Sequence, residues 1–90
     1  MGGIFRRYFR GGAEVEAVLL RCRDRMRVAA WLGDACAGVW KGGLTVRTRT
    51  GEEAAAGYGR WIVRNADGAF HVLGCREFEE TCRPAKGEKA

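Results

Sequence analysis

Hydrophobic and polar positions alternate with a period of two in several short segments of the chain, and this pattern predicts β-strands. In residues 44–50 the alternation places Leu44 and Val46 on one face and the basic residues Arg47 and Arg49 on the other. Each segment ends at glycine or at a polar turn, as the strands of a small antiparallel sheet do. The predicted strands are residues 14–20, 44–50, 52–56, 60–64 and 69–73, with a short extended piece at 38–40.

The strongest turn signal joins the last two predicted strands. Residues 65–68, Asn-Ala-Asp-Gly, form a four-residue loop in which Asn and Gly tolerate a positive φ. The resulting hairpin is predicted to place His71 on the opposite face, at the surface or rim of the sheet. The residues predicted to share the other face are Trp61, Val63, Phe70 and Val72.

One segment has the period of a helix instead. Apolar residues between Met26 and Leu32 recur at spacings of three and four and predict a core-facing stripe, with Asp24 as N-cap and Gly33 as the residue that ends the helix. A second, short helical turn over residues 76–81 is predicted to place its phenylalanine on the sheet. The predicted fold class is therefore α+β: one small domain with a mostly antiparallel sheet of four to five strands packed by one helix, plus a short C-terminal helical turn.

The N-terminal segment is basic and aromatic and ends at two glycines, Gly11 and Gly12. As a helix it would gather Phe5, Tyr8 and Phe9 on one face. The favoured interpretation is that these aromatic residues pack on the domain as an edge strand or arm. The predicted organisation is an arm over residues 1–12, a single domain over 13–84 and a flexible tail over 85–90.

Length and composition argue against catalysis. A chain of 90 residues builds one thin core and has little room for a deep substrate pocket. The sequence contains no serine and shows no paired nucleophile and base or paired catalytic carboxylates. We therefore predict no enzymatic activity and no cofactor. The longest central stretch without charge, residues 28–33, is much shorter than a membrane span, and no secretory signal is evident, so the predicted location is the cytoplasm.

The four cysteines favour free thiols over a metal site. Their spacing is C-x13-C-x38-C-x6-C, and it lacks the close pair that a zinc knuckle requires. Zinc binding and two disulfides are the less favoured alternatives, and small apolar filler is the favoured role. A catalytic pair of Cys75 with His71 is disfavoured because no third group is predicted to orient it. The cysteines are Cys22, Cys36, Cys75 and Cys82.

Charge points to a binding function. The chain has 16 Lys and Arg against 11 Asp and Glu, for a formal net charge of +5. Such a charge favours approach to polyanions or to acidic protein surfaces. The arginines are unevenly spread, and four of them alternate with other residues from the end of strand 14–20 into the helix: Arg21, Arg23, Arg25 and Arg27.

The C-terminal half of the chain also resembles a known family. Residues 58–64 (Tyr-Gly-Arg-Trp-Ile-Val-Arg), 67–70 (Asp-Gly-Ala-Phe) and 78–84 (Phe-Glu-Glu-Thr-Cys-Arg-Pro) resemble a family of small phage and prophage proteins. That family has a Pro-Gly-Asp-Tyr/Trp-Ile segment, a glycine-containing turn and a closing Phe-Glu-x-Thr-Tyr-x-Pro.

The likeness extends in outline over most of residues 6–84, including the basic start, the Val-Glu-Ala strand and the central strand. Tyr58, Arg60 and Cys82 stand where the family has Pro, Asp and Tyr, so no role of the family's Asp carries over to this chain. The resemblance implies phage or prophage origin, a compact α+β fold and no enzymatic activity.

Two binding functions remain open. The favoured one is a small accessory protein that binds a host or virion protein, for example an inhibitor of host machinery or defence, through exposed aromatic and arginine side chains. The alternative is a basic nucleic-acid-binding module, although the known motifs of such modules are absent. The predicted partner-binding residues are Phe5, Arg7, Tyr8, Phe9, Arg10, Trp40 and Tyr58; those of the nucleic-acid alternative are Arg47, Arg49, Arg60 and Arg64. The double substitution Tyr8→Ala with Phe9→Ala is predicted to abolish partner capture and to leave the fold intact.

Overall fold

A computed structural model describes residues 5–84 of the chain, and within them it contains eight strands and two helices. Single 3-10 turns, Cys22–Asp24 and Gly33–Ala35, flank the first helix. None of the helices in this range is long and apolar enough to cross a membrane. The strands are β1 (Arg6–Arg10), β2 (Ala13–Leu19), β3 (Cys36–Trp40), β4 (Gly43–Arg47), β5 (Glu53–Gly57), β6 (Trp61–Arg64), β7 (Phe70–Leu73) and β8 (Cys82–Pro84), and the helices are α1 (Arg25–Leu32) and α2 (Cys75–Thr81).

The predicted α+β class is confirmed, but the strands form two antiparallel sheets. A five-stranded sheet has the order β7-β6-β2-β1-β8, and a three-stranded sheet has the order β3-β4-β5. In the smaller sheet each strand pairs only with its neighbour along the chain, since short turns connect them. Helix α1 begins and ends where predicted, with Asp24 at the N-cap position and Gly33 at the C-cap position.

The N-terminal segment is part of the larger sheet. Strand β1 pairs with β2 on one side and with β8 on the other, so Tyr8 lies opposite both Val15 and Pro84. Gly11 and Gly12 have φ values of 60° and 85° and form the turn between β1 and β2. From Arg6 onward the predicted arm is therefore a strand inside the sheet, and neither a helix nor an edge. The first four residues of the predicted arm and the predicted tail over 85–90 lie outside the described residues.

The larger sheet has a hydrophobic cluster on each of its two faces, because successive side chains of a strand point to opposite sides. Helix α2 covers one face through Phe78, and helix α1 with the smaller sheet covers the other. Strand β2 contributes side chains to both clusters. The cluster under α2 contains Val15, Ala17, Val63, Leu73, Phe78 and Cys82. The cluster under α1 contains Val18, Leu20, Val28, Leu32, Leu44, Val46, Ala56, Ile62 and Phe70.

The hairpin of β6 and β7 has a different register from the predicted one. Val63 lies directly opposite His71. Directly opposed residues of an antiparallel pair point to the same face, so Trp61 and Val63 share a face with His71, while Phe70 and Val72 lie on the other. The predicted grouping of these side chains is wrong.

The cause of this difference is a loop that is one residue longer than predicted. The backbone N–H of Asn65 donates to the carbonyl oxygen of Ala69 at 2.8 Å, and the N–H of Gly68 donates to the carbonyl oxygen of Asn65 at 2.9 Å. Ala69 thus belongs to the turn. Because side chains alternate along a strand, one additional loop residue exchanges the two faces of β7.

Candidate functional site

Exposed hydrophobic side chains are concentrated near the start of α1. Four large ones are exposed in residues 5–84: Phe9, Met26, Val39 and Trp40. Val39 and Trp40 end β3, and Met26 follows Arg25, which contacts Trp40. Met26 was predicted to belong to the buried stripe of α1. It is instead 65% exposed, because two residues, about 200° of helix rotation, separate it from the buried Val28.

Arg25 connects helix α1 to the turn between β3 and β4. Its Nη1 donates to the carbonyl oxygen of Trp40 at 2.9 Å and to that of Lys41 at 3.4 Å. The same nitrogen lies 2.9 Å from the hydroxyl of Tyr58. This nitrogen carries two hydrogens, so a single group serves acceptors from two other segments. Arg25 thereby fixes the position of Trp40 relative to α1 and Tyr58.

The indole ring of Trp40 lies over the turn that follows it. A Cβ atom built on Gly42 would stand 2.4 Å from Cζ3 of this ring, so a side chain at position 42 would displace it. The carbonyl oxygen of Gly42 accepts a hydrogen bond from the backbone N–H of Tyr58 at 3.2 Å. Trp40 is therefore held on one side by the turn and remains 43% exposed.

Backbone hydrogen bonds bring a third segment to the same place. The N–H of Leu20 donates to the carbonyl oxygen of Arg60 at 2.9 Å, and the N–H of Gly59 donates to that of Leu20 at 2.9 Å. The end of β2, the β3–β4 turn and the β5–β6 turn thus meet. We call this region, formed by residues 20–25, 40–42 and 57–60 with the adjoining Met26 and Val39, the three-loop surface.

The three-loop surface is basic. It contains five cationic side chains and a single carboxylate, that of Asp24, which is buried. Within the described part of the chain, none of the five forms an ion pair, whereas five other arginines do. A large share of the net positive charge of the protein therefore lies in these three loops. The five cationic residues are Arg21, Arg23, Arg25, Lys41 and Arg60.

The phenol of Tyr58 has a structural role in this surface. Burial and the neighbouring Cys22 thiol raise the pKa of Tyr58 above its ordinary value of 10.0, although Arg25 acts in the opposite direction. The phenol therefore stays protonated at neutral pH. It supports the position of Arg25 as a neutral hydrogen-bonding partner.

Two of the predicted partner-binding residues, Trp40 and Tyr58, are thus brought together, and Arg25 joins them. Sequence reasoning assigned no site role to Arg25. The only signal was its place in the alternating arginines of residues 21–27, and that signal does not distinguish it from Arg23 or Arg27. The distinction arises from contacts with residues 15 and 33 positions away in the chain.

Two other predicted partner-binding residues pack inside the protein. The ring of Phe5 lies against Trp31, with centroids 4.7 Å apart, and the ring of Tyr8 meets Phe78 edge-on at 4.8 Å. Both Phe5 and Tyr8 are half-buried. Substitution of Tyr8 removes a core contact, so the expectation that the Tyr8→Ala and Phe9→Ala double variant leaves the fold intact does not suit this structure.

The remaining residues of the predicted partner set lie on the larger sheet. Phe9 is 41% exposed, and Nη1 of Arg7 lies 3.5 Å from Oε2 of Glu14. Arg10 is half-buried. Burial lowers the pKa of His71, and the charges of Arg10 and Arg49 lower it further. These residues do not belong to the three-loop surface.

The arginines predicted for nucleic-acid binding do not form one surface. Arg60 belongs to the three-loop surface, with its guanidinium group near Gly74. The other three form ion pairs, and a carboxylate beside a guanidinium weakens its attraction for phosphate. These pairs are Arg47 with Glu53 at 3.5 Å, Arg49 with Asp67, and Arg64 with Glu16 at 3.5 Å.

A shallow groove of about 330 Å³ lies between α1, the β4–β5 turn and the β6–β7 turn. Its lining includes Arg47 and Arg49, which are ion-paired, together with Asp34, Leu32 and Phe70. This lining contains no cysteine, histidine or serine that could act as a nucleophile or general base.

The cysteines are free thiols in different environments. Cys82 is buried as predicted for a small apolar filler, whereas Cys22 and Cys75 are exposed and Cys36 is half-buried. The filler role was therefore wrong for the two exposed cysteines, which lie at the starts of helical segments. Across residues 5–84, no three or more His, Cys, Asp or Glu side chains are placed together to hold a metal ion.

Comparison of the chain with protein-family models, with curated proteins and with solved structures found no match in any of the three. The resemblance to small phage and prophage proteins therefore stays a prediction. The candidate site rests on its geometry: an exposed tryptophan on a turn held by Arg25, with exposed cationic residues in the loops that meet there.

Proposed function

We propose that the chain is a small, non-enzymatic accessory protein of phage or prophage type that binds a host or virion protein through the three-loop surface. The observation that carries this proposal is the exposed indole of Trp40 on a turn that Arg25 holds in place. Tryptophan and arginine are the residues most enriched where binding energy is concentrated in protein interfaces. A side chain that is already fixed loses little conformational freedom on binding, which favours affinity.

The exposed aliphatic side chains support a protein as the partner. Val39 is 47% exposed and Met26 is 65% exposed. Single-stranded nucleic acids bind through stacking of bases on aromatic rings and through cationic contacts with phosphates, and neither Val39 nor Met26 supplies such a contact. Both suit an apolar pocket of a protein, and methionine adapts to pockets of irregular shape.

The phage assignment rests on the resemblance of residues 58–64 and 78–84 to the phage and prophage family. The first of these segments contributes Tyr58 to the three-loop surface. Within this class, the proposed roles are inhibition of host machinery or host defence, or attachment to a capsid or tail. The corresponding places of action are the host cytoplasm and the virion.

Affinity capture from a host lysate tests the proposal. The wild-type chain and the variant Trp40→Ala are compared in parallel, with and without nuclease. Phe9→Ala is the matched control, because Phe9 is also an exposed aromatic residue but lies on the larger sheet. We expect wild type and Phe9→Ala to retain the same protein after nuclease treatment and Trp40→Ala to lose it.

Two results would contradict the proposal. Equal capture by Trp40→Ala and wild type would remove the three-loop surface from the interaction. Loss of all capture after nuclease treatment would favour the alternative, a nucleic-acid-binding module.

A further inference from the structure

Resting on the proposed function, we infer that the binding surface of the partner is acidic: an apolar pocket that receives Trp40, bordered by carboxylates that face Arg21, Arg23 and Lys41. The inference concerns the chemistry of the partner and uses the distribution of charge around Trp40. It assigns the apolar pocket to Trp40 and the carboxylates to the cationic rim.

The first argument for an acidic partner is the scarcity of carboxylates in the three-loop surface. Elsewhere on the surface, arginines stand beside carboxylates, as Arg7 does with Glu14 and Arg64 with Glu16, each at 3.5 Å. At the three-loop surface the only carboxylate is that of Asp24, which is 8% exposed. Like charges gathered without local compensation repel one another, and an acidic partner surface would relieve that repulsion.

Exposure is the second argument. Arg21, Arg23 and Lys41 are all exposed, and Lys41 directly follows Trp40 in the turn that Arg25 holds. Cationic side chains that surround an aromatic anchor occupy the rim of an interface, where they act through long-range attraction. The rim charges are therefore expected to raise the rate of association, and Trp40 to slow dissociation.

Selection from a peptide library tests the inference on the intact chain. A display library of random twelve-residue peptides is panned against the wild-type protein, and the affinities of selected peptides are measured for wild type, Trp40→Ala, Arg23→Glu and Lys41→Glu. Arg76→Glu is the matched charge control, since it changes the net charge equally at an exposed position on α2. Thermal unfolding of each variant identifies any that fail to fold. If one of the two rim variants, Arg23→Glu or Lys41→Glu, does not fold, the other provides the measurement.

We expect the selected peptides to combine an apolar residue with several Asp or Glu. Their affinity should fall about tenfold in Arg23→Glu or Lys41→Glu, mainly through slower association, and should change little in Arg76→Glu. Trp40→Ala should abolish measurable binding. Affinity should also weaken as salt concentration rises, because exposed charges are screened.

The remaining outcomes separate the two proposals. Peptides that require Trp40 but lack acidic residues, and that bind Arg23→Glu and Arg76→Glu equally, would overturn the acidic partner and leave the proposed function standing. Peptides that bind Trp40→Ala as well as wild type would overturn both. A twelve-nucleotide single-stranded DNA that binds more tightly than every selected peptide, and is lost in Arg23→Glu, would also overturn the inference, with phosphate in place of carboxylate.

Discussion

The arginines of residues 21–27 differ in their contacts. Four arginines alternate between residues 21 and 27, but only Arg25 turns toward the fold and bonds to Trp40 and Tyr58. Arg23 and Arg27 are exposed. Arg25 therefore contributes to stability, whereas its neighbours contribute mainly charge.

Replacement of Arg25 should destabilise the fold. Arg25→Ala leaves the carbonyl oxygens of Trp40 and Lys41 without their donor, and we expect a loss of about 2 kcal/mol in the free energy of unfolding, the scale for hydrogen bonds to a charged group. Arg25→Lys should recover only part of this loss, because Nζ of lysine ends one bond short of the position of Nη1. Urea denaturation of both variants measures the effect.

Arg27→Ala is the control for this experiment. Its side chain is exposed on the same helix, so its removal should change stability by less than about 0.5 kcal/mol. A loss in Arg25→Ala no larger than that in Arg27→Ala would show that the bonds from Arg25 do not stabilise the turn.

Strand β1 places two aromatic neighbours in opposite environments. Tyr8 lies over the cluster under α2, against Trp61 and Phe78, whereas Phe9 points to the other face and is exposed. β1 is hydrogen-bonded on both sides, so neither ring can exchange places with the other without breaking the sheet. The strand converts adjacent positions in the sequence into one core residue and one surface residue.

The two positions should respond differently to truncation. Tyr8→Ala removes two aromatic contacts, and we expect a loss of about 3 kcal/mol in the free energy of unfolding. Phe9→Ala should lose less than about 1 kcal/mol, because the ring is exposed and belongs to neither cluster. Thermal and urea unfolding of the two single variants decides the matter. Equal losses would contradict the assigned orientation of the strand.

Elements formed by local sequence were predictable, and their assembly was only partly so. The periodicity of α1 and its flanking Asp24 and Gly33 is a local signal, and the helix lies where it was predicted. The division of the strands into two sheets depends on contacts between distant segments. A hydrophobic period of two within one strand carries no information about such contacts. The register of β6 and β7 depended on whether Ala69 belonged to the strand or to the turn.

The candidate site was predictable in its aromatic residues and not in its organisation. Trp40 and Tyr58 could be predicted as interface residues because aromatic side chains are enriched where binding energy is concentrated in protein interfaces. Arg25 owes its role to a carbonyl oxygen 15 residues away and a hydroxyl 33 residues away. No local pattern reports a hydrogen bond of that separation.

At the scale of the whole molecule, the larger sheet separates two hydrophobic clusters, and strand β2 belongs to both. Val18 lies in the cluster under α1, and its neighbours Val15 and Ala17 lie in the cluster under α2. Loss of β2 would remove buried side chains from both clusters. The described fold should therefore unfold as one cooperative unit, as small domains usually do.

Substitutions in the two clusters should thus act on a single transition. Val46→Ala and Phe78→Leu, one in each cluster, are each expected to lower the free energy of unfolding by roughly 1 to 3 kcal/mol. Their effects should add in the double variant to within about 0.5 kcal/mol, because the two side chains share no cluster. Calorimetry checks both points. Two separate heat-absorption peaks would show that the clusters melt independently.

The close approach of Gly42 to the indole ring of Trp40 links these two positions. Gly42 is not among the glycines with positive φ, so its backbone angles would accept other residues, and the nearest atoms that a side chain there would meet belong to the ring. The ring is the exposed end of a side chain and can turn aside. A substitution at position 42 therefore moves the indole off the turn, and the surface at position 40 changes while the tryptophan itself is retained.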